Sequence, residues 1–250
     1  MASSRACLAL VAVSLSFRYW MGYVGVDPSI RMHIAVGTSL ATIIPTSISS
    51  AGAHHKKHAI SMGLVRHWSP YIVIGTAIGI LVAGEVSSQV LYAVFAIVAL
   101  LVAIKMMLLL DEQTIASDVP RGIPGAIVPA AIGFISAMMG IGGGSMSVPI
   151  MTLCGRPIHV AVGTSALFGA FIAVPGTIGF IYTGWGNELL PYGSLGYVNL
   201  VGFALIIPTT IACAPLGAKL AHSMPKRTLS LLFGTFLLIV AVRMGLQIVA

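Results

Sequence analysis

The sequence predicts an all-α, polytopic membrane protein built from two inverted repeats, with about seven or eight membrane segments. Hydrophobic residues make up 58% of the chain, charged residues only 8%, and the mean hydropathy is +1.02. Soluble domains carry about 25% charged residues, so this composition argues against a soluble protein. Apolar runs of helix-spanning length recur, whereas the strands of a membrane barrel would alternate apolar and polar residues.

A heptapeptide that occurs twice indicates the repeats. The segment 33–39, HIAVGTS, returns at 159–165 as HVAVGTS, with six of the seven positions identical. Further residue pairs match between the two repeats, and the members of each pair are separated by the same number of positions. This separation is 12 positions larger than that between the heptapeptides, so we expect an insertion at 184–197. These pairs are Phe95 and Phe233, Lys105 and Arg243, Met106 and Met244, Gly79 and Gly217, and Ala83 and Ala221. We divide the chain into an N-terminal segment 1–24, a first repeat 25–118 and a second repeat 119–250.

Seven stretches are apolar enough to be membrane segments. We expect them at 34–53, 71–84, 90–110, 123–154, 158–183, 198–218 and 228–249. Segment 71–84 is short, and we expect Trp68 and Tyr71 to anchor its start at the membrane interface. In the N-terminal segment, the apolar run 7–17 is short for a span, so we expect a shortened first helix. A signal-peptide core is the alternative, although it lacks a small-residue cleavage site.

The Lys and Arg residues predict the orientation of the segments by the positive-inside rule. Loops 54–69, 105–122 and 219–227 contain basic residues and are expected in the cytoplasm, whereas 85–89 and 184–197 contain none and are expected outside. The loops that follow the two heptapeptide helices therefore lie on opposite sides, which predicts inverted topology. The net charge of +7 is explained in this way without a nucleic-acid partner.

Segment 123–154 is expected to enter and leave on the same side, yet it is too short for two spans of about 20 residues each. It contains GIGGGSMSVP at 140–149, so we predict a helical hairpin that turns within the membrane at the glycines. Bare backbone N–H groups at the start of the returning helix suit an anion. The candidate binding residues here are Gly142, Gly143, Gly144, Ser145 and Ser147. Close helix packing through small residues is the alternative.

The hydroxyl residues of the two heptapeptides form a second group of candidates: Thr38, Ser39, Thr164 and Ser165. Their repetition favours one shared substrate or ion site on the axis between the repeats. The alternative is a hydrogen bond from each hydroxyl back to the preceding turn of its own helix. Pro45 and Pro175 each break one backbone bond in these helices, which favours a position beside a transport path.

The remaining polar clusters predict neither a cofactor nor a metal site. His54, His55 and His58 lie beside Lys56 and Lys57, and we interpret them as a helix end at the lipid headgroups, with a metal site as the alternative. Three cysteines lack metal-ligand spacing and are interpreted as small packing residues: Cys7, Cys154 and Cys213. No carboxylate falls clearly at membrane depth, which argues against proton coupling through a buried acid.

These motifs resemble the TauE/SafE sulfite exporter family. The resemblance rests on GIGGGSMSVP, on the two heptapeptides and on GAKLAHSMPKRTLSLLFGTFLLIVAVRM at 217–244, and it covers about residues 25–246. It implies a secondary carrier of sulfite, sulfoacetate or other small anions in a prokaryotic plasma membrane. Members of that family also carry a glycine-rich segment upstream of the first heptapeptide. Residues 1–24 lack one, so we treat this segment as atypical.

The expected function is therefore secondary transport of a small oxyanion, either sulfite or an organosulfonate. The expected partners are the anionic substrate and the lipid bilayer, with no nucleic acid, and the sequence predicts no particular oligomeric state. A passive anion channel is one alternative. An intramembrane serine hydrolase is another, with Ser145 as nucleophile and His159 or His33 as base. The inferred topology places His159 near the interface and Ser145 deeper, which argues against the hydrolase.

Overall fold

A computed structural model describes residues 26–56, 58–107, 122–208, 210 and 226–249. The N-terminal segment 1–24 lies outside the described residues, and so do Cys7, Lys57 and Cys213. Most of the described chain is helical, as the composition predicts. The helices are α1 Arg31–Lys56, α2 Met62–Glu85, α3 Ser88–Met107, α4 Ile123–Met139, α5 Gly144–Leu153, α6 Ile158–Thr183, α7, which is described over 200–208, and α8 Lys226–Val249.

Several predicted segments match these helices closely. The bounds of α6 are those expected from the sequence, and segment 123–154 is divided into α4 and α5 at the glycine-rich motif. The expected helix 198–218 begins two residues late, because Val198–Asn199 (β2) pairs antiparallel with Ser194–Leu195 (β1). This short ribbon departs from the expected all-α class, and positions 211–218 of that helix lie outside the described residues.

The predicted loop 54–69 is wrong at both ends. Helix α1 continues to Lys56, and α2 begins at Met62 instead of residue 71. The start of α2 is amphipathic: Val65, Trp68 and Ile72 are buried at helical spacing, while Arg66 is exposed. The polar residues between these apolar positions are therefore compatible with a helix.

Trp68 also corrects the expected interfacial anchor. Its side chain is 0% exposed, and its ring stacks on Phe168 of α6 with a centroid separation of 5.8 Å. An indole at the membrane interface would present its N–H to water or headgroups. Trp68 instead belongs to the core between α2 and α6.

Glycines bring the helices of the core into close contact. Gly75 of α2 lies so close to Ala130 of α4 that a Cβ would overlap the Ala130 carbonyl oxygen. Gly133 of α4 approaches the Ile72 carbonyl in the same way. Small residues at a crossing let two backbones approach, which is how helices associate in a lipid environment.

The outer surface of the helices is apolar, as a bilayer requires. Four described helices are long and apolar enough to cross a membrane, namely α1, α2, α6 and residues Ser88–Lys105 of α3, and two shorter apolar stretches lie at Ile123–Met139 and Gly234–Gln247. The total of seven or eight segments stays a prediction. Large apolar side chains on these helices face outward: Leu81, Ile97, Leu101, Ile127, Ile178, Ile239 and Leu246.

Candidate functional site

The glycine-rich turn is built by the end of α4. Gly140 terminates this helix with a left-handed φ of 66°, a conformation that favours glycine. The N–H of Ile141 then donates to the Ser136 carbonyl at 3.1 Å, which closes the helix end. A Cβ at Gly140 would lie 2.8 Å from the Cα of Val36, so the turn is packed directly against α1.

The next three glycines lie between α1 and α6. A Cβ on Gly142 would lie 3.2 Å from Cγ2 of Ile43 in α1, and one on Gly143 would lie 2.9 Å from Cδ1 of Ile172 in α6. A Cβ on Gly144 would lie 3.7 Å from Oγ of Ser165. The hydroxyl of Ser165 therefore lies beside the glycine-rich turn, and its role in binding stays a prediction.

Two buried hydroxyls beside this turn have no hydrogen-bond partner among the described residues. They belong to Ser136, near the end of α4, and to Ser147, in the first turn of α5 and 0% exposed. Oγ of Ser147 lies 3.4 Å from the Cβ position of Gly143. Leaving a buried hydroxyl unpaired costs about 1–3 kcal/mol, so such groups need an explanation. Ser165, in contrast, donates to the carbonyl of Val162 at 2.9 Å.

The backbone at the start of α5 supplies further donors. The first hydrogen bond of this helix runs from the Ser147 N–H to the Gly143 carbonyl, at 2.8 Å. The preceding N–H groups lie at the positive end of the helix dipole and have no partner within the helix. Ser145 is the second residue of α5, but its side chain lies outside the described residues. The turn thus offers uncharged N–H and O–H donors with apolar walls at Ile43 and Ile172.

Thr38 and Thr164 do not reach the glycine-rich turn through their hydroxyls. Oγ1 of Thr38 accepts the backbone N–H of Asn199 at 3.0 Å, and Oγ1 of Thr164 accepts that of Ser61 at 3.0 Å. Both threonines are buried, and each hydroxyl satisfies a donor at the start of another helix. The sequence analysis did not predict these contacts. It considered only a substrate at a shared site or a carbonyl in the same helix as the partner of each threonine. Ser39 is half-buried, and its carbonyl accepts the hydroxyl of Thr42.

His33 forms a separate buried network at the start of α1. Its Nε2 lies 2.9 Å from the carbonyl oxygen of Ala83 and 3.1 Å from that of Val86, and its Nδ1 lies 3.2 Å from Oγ of Ser88. Both ring nitrogens of His33 therefore face groups of residues 83–88. The other histidine considered as a hydrolase base, His159, is exposed. These placements favour neither histidine as the base of a serine hydrolase.

A cavity of about 740 Å³ opens beside this network. Asp27 lines it, and hydrogen bonds from the Ser29 hydroxyl and backbone N–H hold the pKa of that carboxyl below its usual value. Sequence analysis missed the cavity, although Asp27, Ser29 and Arg31 stand together just before the first heptapeptide. The lining residues are Asp27, Pro28, Ser29, Arg31, Ser87, Ser88, Gln89, Tyr92 and Gln247.

Comparison with known proteins gives consistent matches to membrane transporters. A family model described as "Sulfite exporter TauE/SafE" matches residues 7–244. The chain is 35% identical over 229 residues to a "Probable membrane transporter protein" of Haemophilus influenzae, covering 92% of this chain and 87% of the relative. It is 27% identical over 206 residues to "Probable membrane transporter protein YdhB" of Bacillus subtilis, covering 79% and 78% of the two chains. No solved structure matches the chain.

Proposed function

The chain belongs to the Sulfite exporter TauE/SafE family of membrane transporters, and on that premise we propose that it is a secondary transporter of a small oxyanion. The substrate class is sulfite, an organosulfonate or a related sulfur oxyanion. The proposed membrane is the plasma membrane of a prokaryote, which fits bacterial relatives. Family membership already identifies a membrane transporter. The proposal adds the substrate class and the membrane in which the protein lies.

One observation carries the substrate class: the unpaired, buried hydroxyl of Ser147 beside the open N–H groups at the start of α5. An oxyanion accepts several hydrogen bonds and gains from the positive end of a helix. A bound anion would accept a hydrogen bond from the buried Ser147 hydroxyl and so offset the cost of burying it. Neutral donors of this kind hold an anion without placing a compensating charge in the membrane, where a charged side chain is costly.

Gly142, Gly143 and Gly144 complete the proposed site with Ser145, Ser147 and Ser165. The hydroxyl of Ser165 lies next to Gly144, and it would donate to a ligand at the turn by rotating away from the Val162 carbonyl. We keep Ser39 as a proposed contact on the opposite helix, α1. Thr38 and Thr164 were also expected in the site. Their hydroxyls accept N–H groups elsewhere, so we assign them to the framework around the site.

The proposal includes two inverted repeats, and a pair of matching contacts supports it. Thr38 and Thr164 occupy the same position in the two heptapeptides, and their partners Asn199 and Ser61 are 138 positions apart, as are Phe95 and Phe233. The glycines at matching positions of the two heptapeptides, Gly37 and Gly163, also contact residues that are 138 positions apart. A Cβ on Gly37 would contact the Tyr197 carbonyl oxygen, and one on Gly163 would contact that of Ala59, which is again 138 positions from Tyr197.

Transport by purified protein in liposomes tests the function. We expect saturable uptake of radiolabelled sulfite, thiosulfate or an organosulfonate that depends on a gradient across the membrane. A passive channel would instead give flux proportional to the anion concentration. Absence of flux with every member of the panel contradicts the proposed function.

Two glycine variants test the site itself. Gly143→Val would place branched carbons against Cδ1 of Ile172 and beside Ser147, so we expect oxyanion flux to be lost while the protein still inserts. Gly52→Val is the matched control, because no atom of the described residues lies within 4 Å of its Cβ position in α1. Equal flux in the two variants counts against a site at the glycine-rich turn.

A further inference from the structure

We propose that His33 is the proton-binding residue of this transporter and that the cavity lined by Ser29 and Ser88 gives the proton access to it. The proposal rests on the proposed function and adds the identity of the coupling ion. A transporter driven by protons needs a group at the transport domain that gains and loses a proton. Among the described residues, His33 is a buried titratable side chain, whereas the carboxylates of Asp27, Glu85 and Glu188 are not buried.

The hydrogen bonds around His33 fix the state of its Nε2. This nitrogen lies within 3.1 Å of two carbonyl oxygens, of Ala83 and Val86, which can only accept. Nε2 must therefore carry a proton and donate. The protonation state of Nδ1, which faces Oγ of Ser88 at 3.2 Å, is not fixed by these two bonds.

Ser88 makes the network ready for a second proton. Its hydroxyl donates to the carbonyl oxygen of Ser29 at 2.5 Å, and a hydroxyl has only one proton to give. When the imidazole is neutral, that proton serves either Ser29 or Nδ1, and one acceptor is left without a donor. When Nδ1 is protonated, it donates to Ser88, Ser88 donates to Ser29, and every acceptor is served. The heavy-atom arrangement thus accommodates the imidazolium without rearrangement.

The cavity supplies the path. His33 is 4% exposed, whereas Ser29 and Ser88 line the cavity of about 740 Å³. A hydronium ion in this cavity gives its proton to Nδ1 next to the Ser88 hydroxyl: an O–H bond breaks, an N–H bond forms and a water molecule is left. Release of the proton to water reverses both changes.

The charges around the network leave this proton exchangeable. Within the described part of the chain, the carboxylate of Asp27 bonds to Ser29 rather than to His33. Arg31 donates from its Nη2 to the Val26 carbonyl, and its buried Nε has no partner among the described residues. A direct carboxylate partner would hold the imidazolium as an ion pair. The titratable and charged groups near His33 are Asp27, Arg31, Glu85, Tyr92 and Tyr197.

Tyr197 links the charge on His33 to the rest of the structure. The two ring centroids lie 5.0 Å apart, so an imidazolium gains attraction to the aromatic ring that a neutral imidazole lacks. The Tyr197 N–H donates to the Phe180 carbonyl of α6 at 3.0 Å, and its carbonyl oxygen packs against Gly37 of α1. Protonation therefore acts where α1, α6 and the segment leading to α7 meet.

The first test measures protonation without transport. Histidine side-chain ¹⁵N signals of protein reconstituted in liposomes are followed between about pH 5 and 8, where imidazole titrates. We expect one buried histidine to change from the Nε2–H tautomer to the imidazolium, and this signal to be missing in His33→Gln. His159→Gln is the matched control, since His159 is the exposed counterpart of His33 in the other heptapeptide. A His33 signal that stays neutral throughout overturns the proposal.

The second test measures coupling. Sulfoacetate is the probe, because its sulfonate and its carboxylate both stay ionised near neutral pH, so it adds no proton exchange there. A pH dye inside the liposomes should report proton movement with sulfoacetate in the wild type and in His159→Gln. We expect this signal to be lost in His33→Gln and reduced in Ser88→Ala, with elution profile and thermal unfolding as checks on folding. Proton movement that persists in His33→Gln overturns the proposal.

The two tests also separate the proposals. If no anion of the panel is transported, the oxyanion function fails, and the ¹⁵N titration still decides whether His33 binds a proton. If sulfoacetate is transported without any proton movement in the wild type, the oxyanion function stands and the coupling role of His33 fails.

Discussion

Oγ1 of Thr38 accepts the backbone N–H of Asn199 at 3.0 Å, although 161 positions separate the two residues. Thr164 holds Ser61 in the same way across 103 positions. The start of α2 is therefore capped from α6, and the segment that enters α7 is capped from α1. Each of the two long heptapeptide helices thus fixes the start of a helix in the other part of the chain.

Removing either hydroxyl should loosen the junction it caps. We expect Thr38→Val and Thr164→Val each to lower the free energy of unfolding by about 1 kcal/mol, because valine keeps the shape but leaves a helix-start N–H unpaired. Hydrogen exchange should rise at Asn199 in the first variant and at Ser61 in the second.

Thr177→Val provides the control for these two variants. Its hydroxyl donates to the Ala173 carbonyl within α6, so the loss affects no second helix. Protection at Ser61 and Asn199 should be unchanged in it. Equal loss of protection in all three variants would show that the capping contacts have no special role.

The crossing of α2 and α4 should reject any side chain at Gly75. We expect Gly75→Ala to destabilise the protein by about 1–3 kcal/mol, because its Cβ would overlap the carbonyl oxygen of Ala130, which is backbone and cannot turn aside. The Cβ of Gly63→Ala, in the same helix, would meet no atom within 4 Å in the part of the chain that the structure describes. Its thermal unfolding in detergent should equal or exceed that of the wild type, since alanine favours helix. Equal melting of the two variants contradicts this packing.

The buried hydroxyl of Ser147 should cost stability and serve function. Ser147→Ala removes an unpaired polar group, so we expect the melting temperature of the ligand-free protein to stay the same or rise. Oxyanion flux should fall in the same variant, because a donor at the glycine-rich turn is lost. A lower melting temperature with normal flux would instead indicate a purely structural hydroxyl with an undetected partner.

Gly140 combines a left-handed backbone with close packing. Its φ and ψ are 66° and 29°, and its Cβ position lies 2.8 Å from Cα of Val36. We expect Gly140→Ala to cost more than the about 1–2 kcal/mol of a left-handed backbone alone, because alanine there also displaces α1. Chemical unfolding measures this cost, and a value within that range would mean that α1 gives way easily.

The local sequence was sufficient wherever the deciding interactions are short-range. The bounds of α6 follow from an apolar run of spanning length that is preceded by Pro157. The break at Gly140 follows from the glycine run, because a left-handed residue ends a helix in any surroundings. The predicted start of α2 was wrong because the local sequence around Trp68 is typical of a membrane interface. The stacking of Trp68 on Phe168, which buries this part of the helix, depends on a distant residue.

By itself, the sequence determined that this chain is a helical membrane protein with two heptapeptide helices and a glycine-rich break between α4 and α5, because composition and backbone restriction act within a few residues. Only the tertiary structure decided that Thr38 and Thr164 cap distant helices, that buried Ser147 has no partner in the described part of the chain and that His33 faces Ser88. Each of these depends on which donor and acceptor groups lie opposite a side chain after the chain has folded. No local pattern encodes a partner that lies more than a hundred positions away.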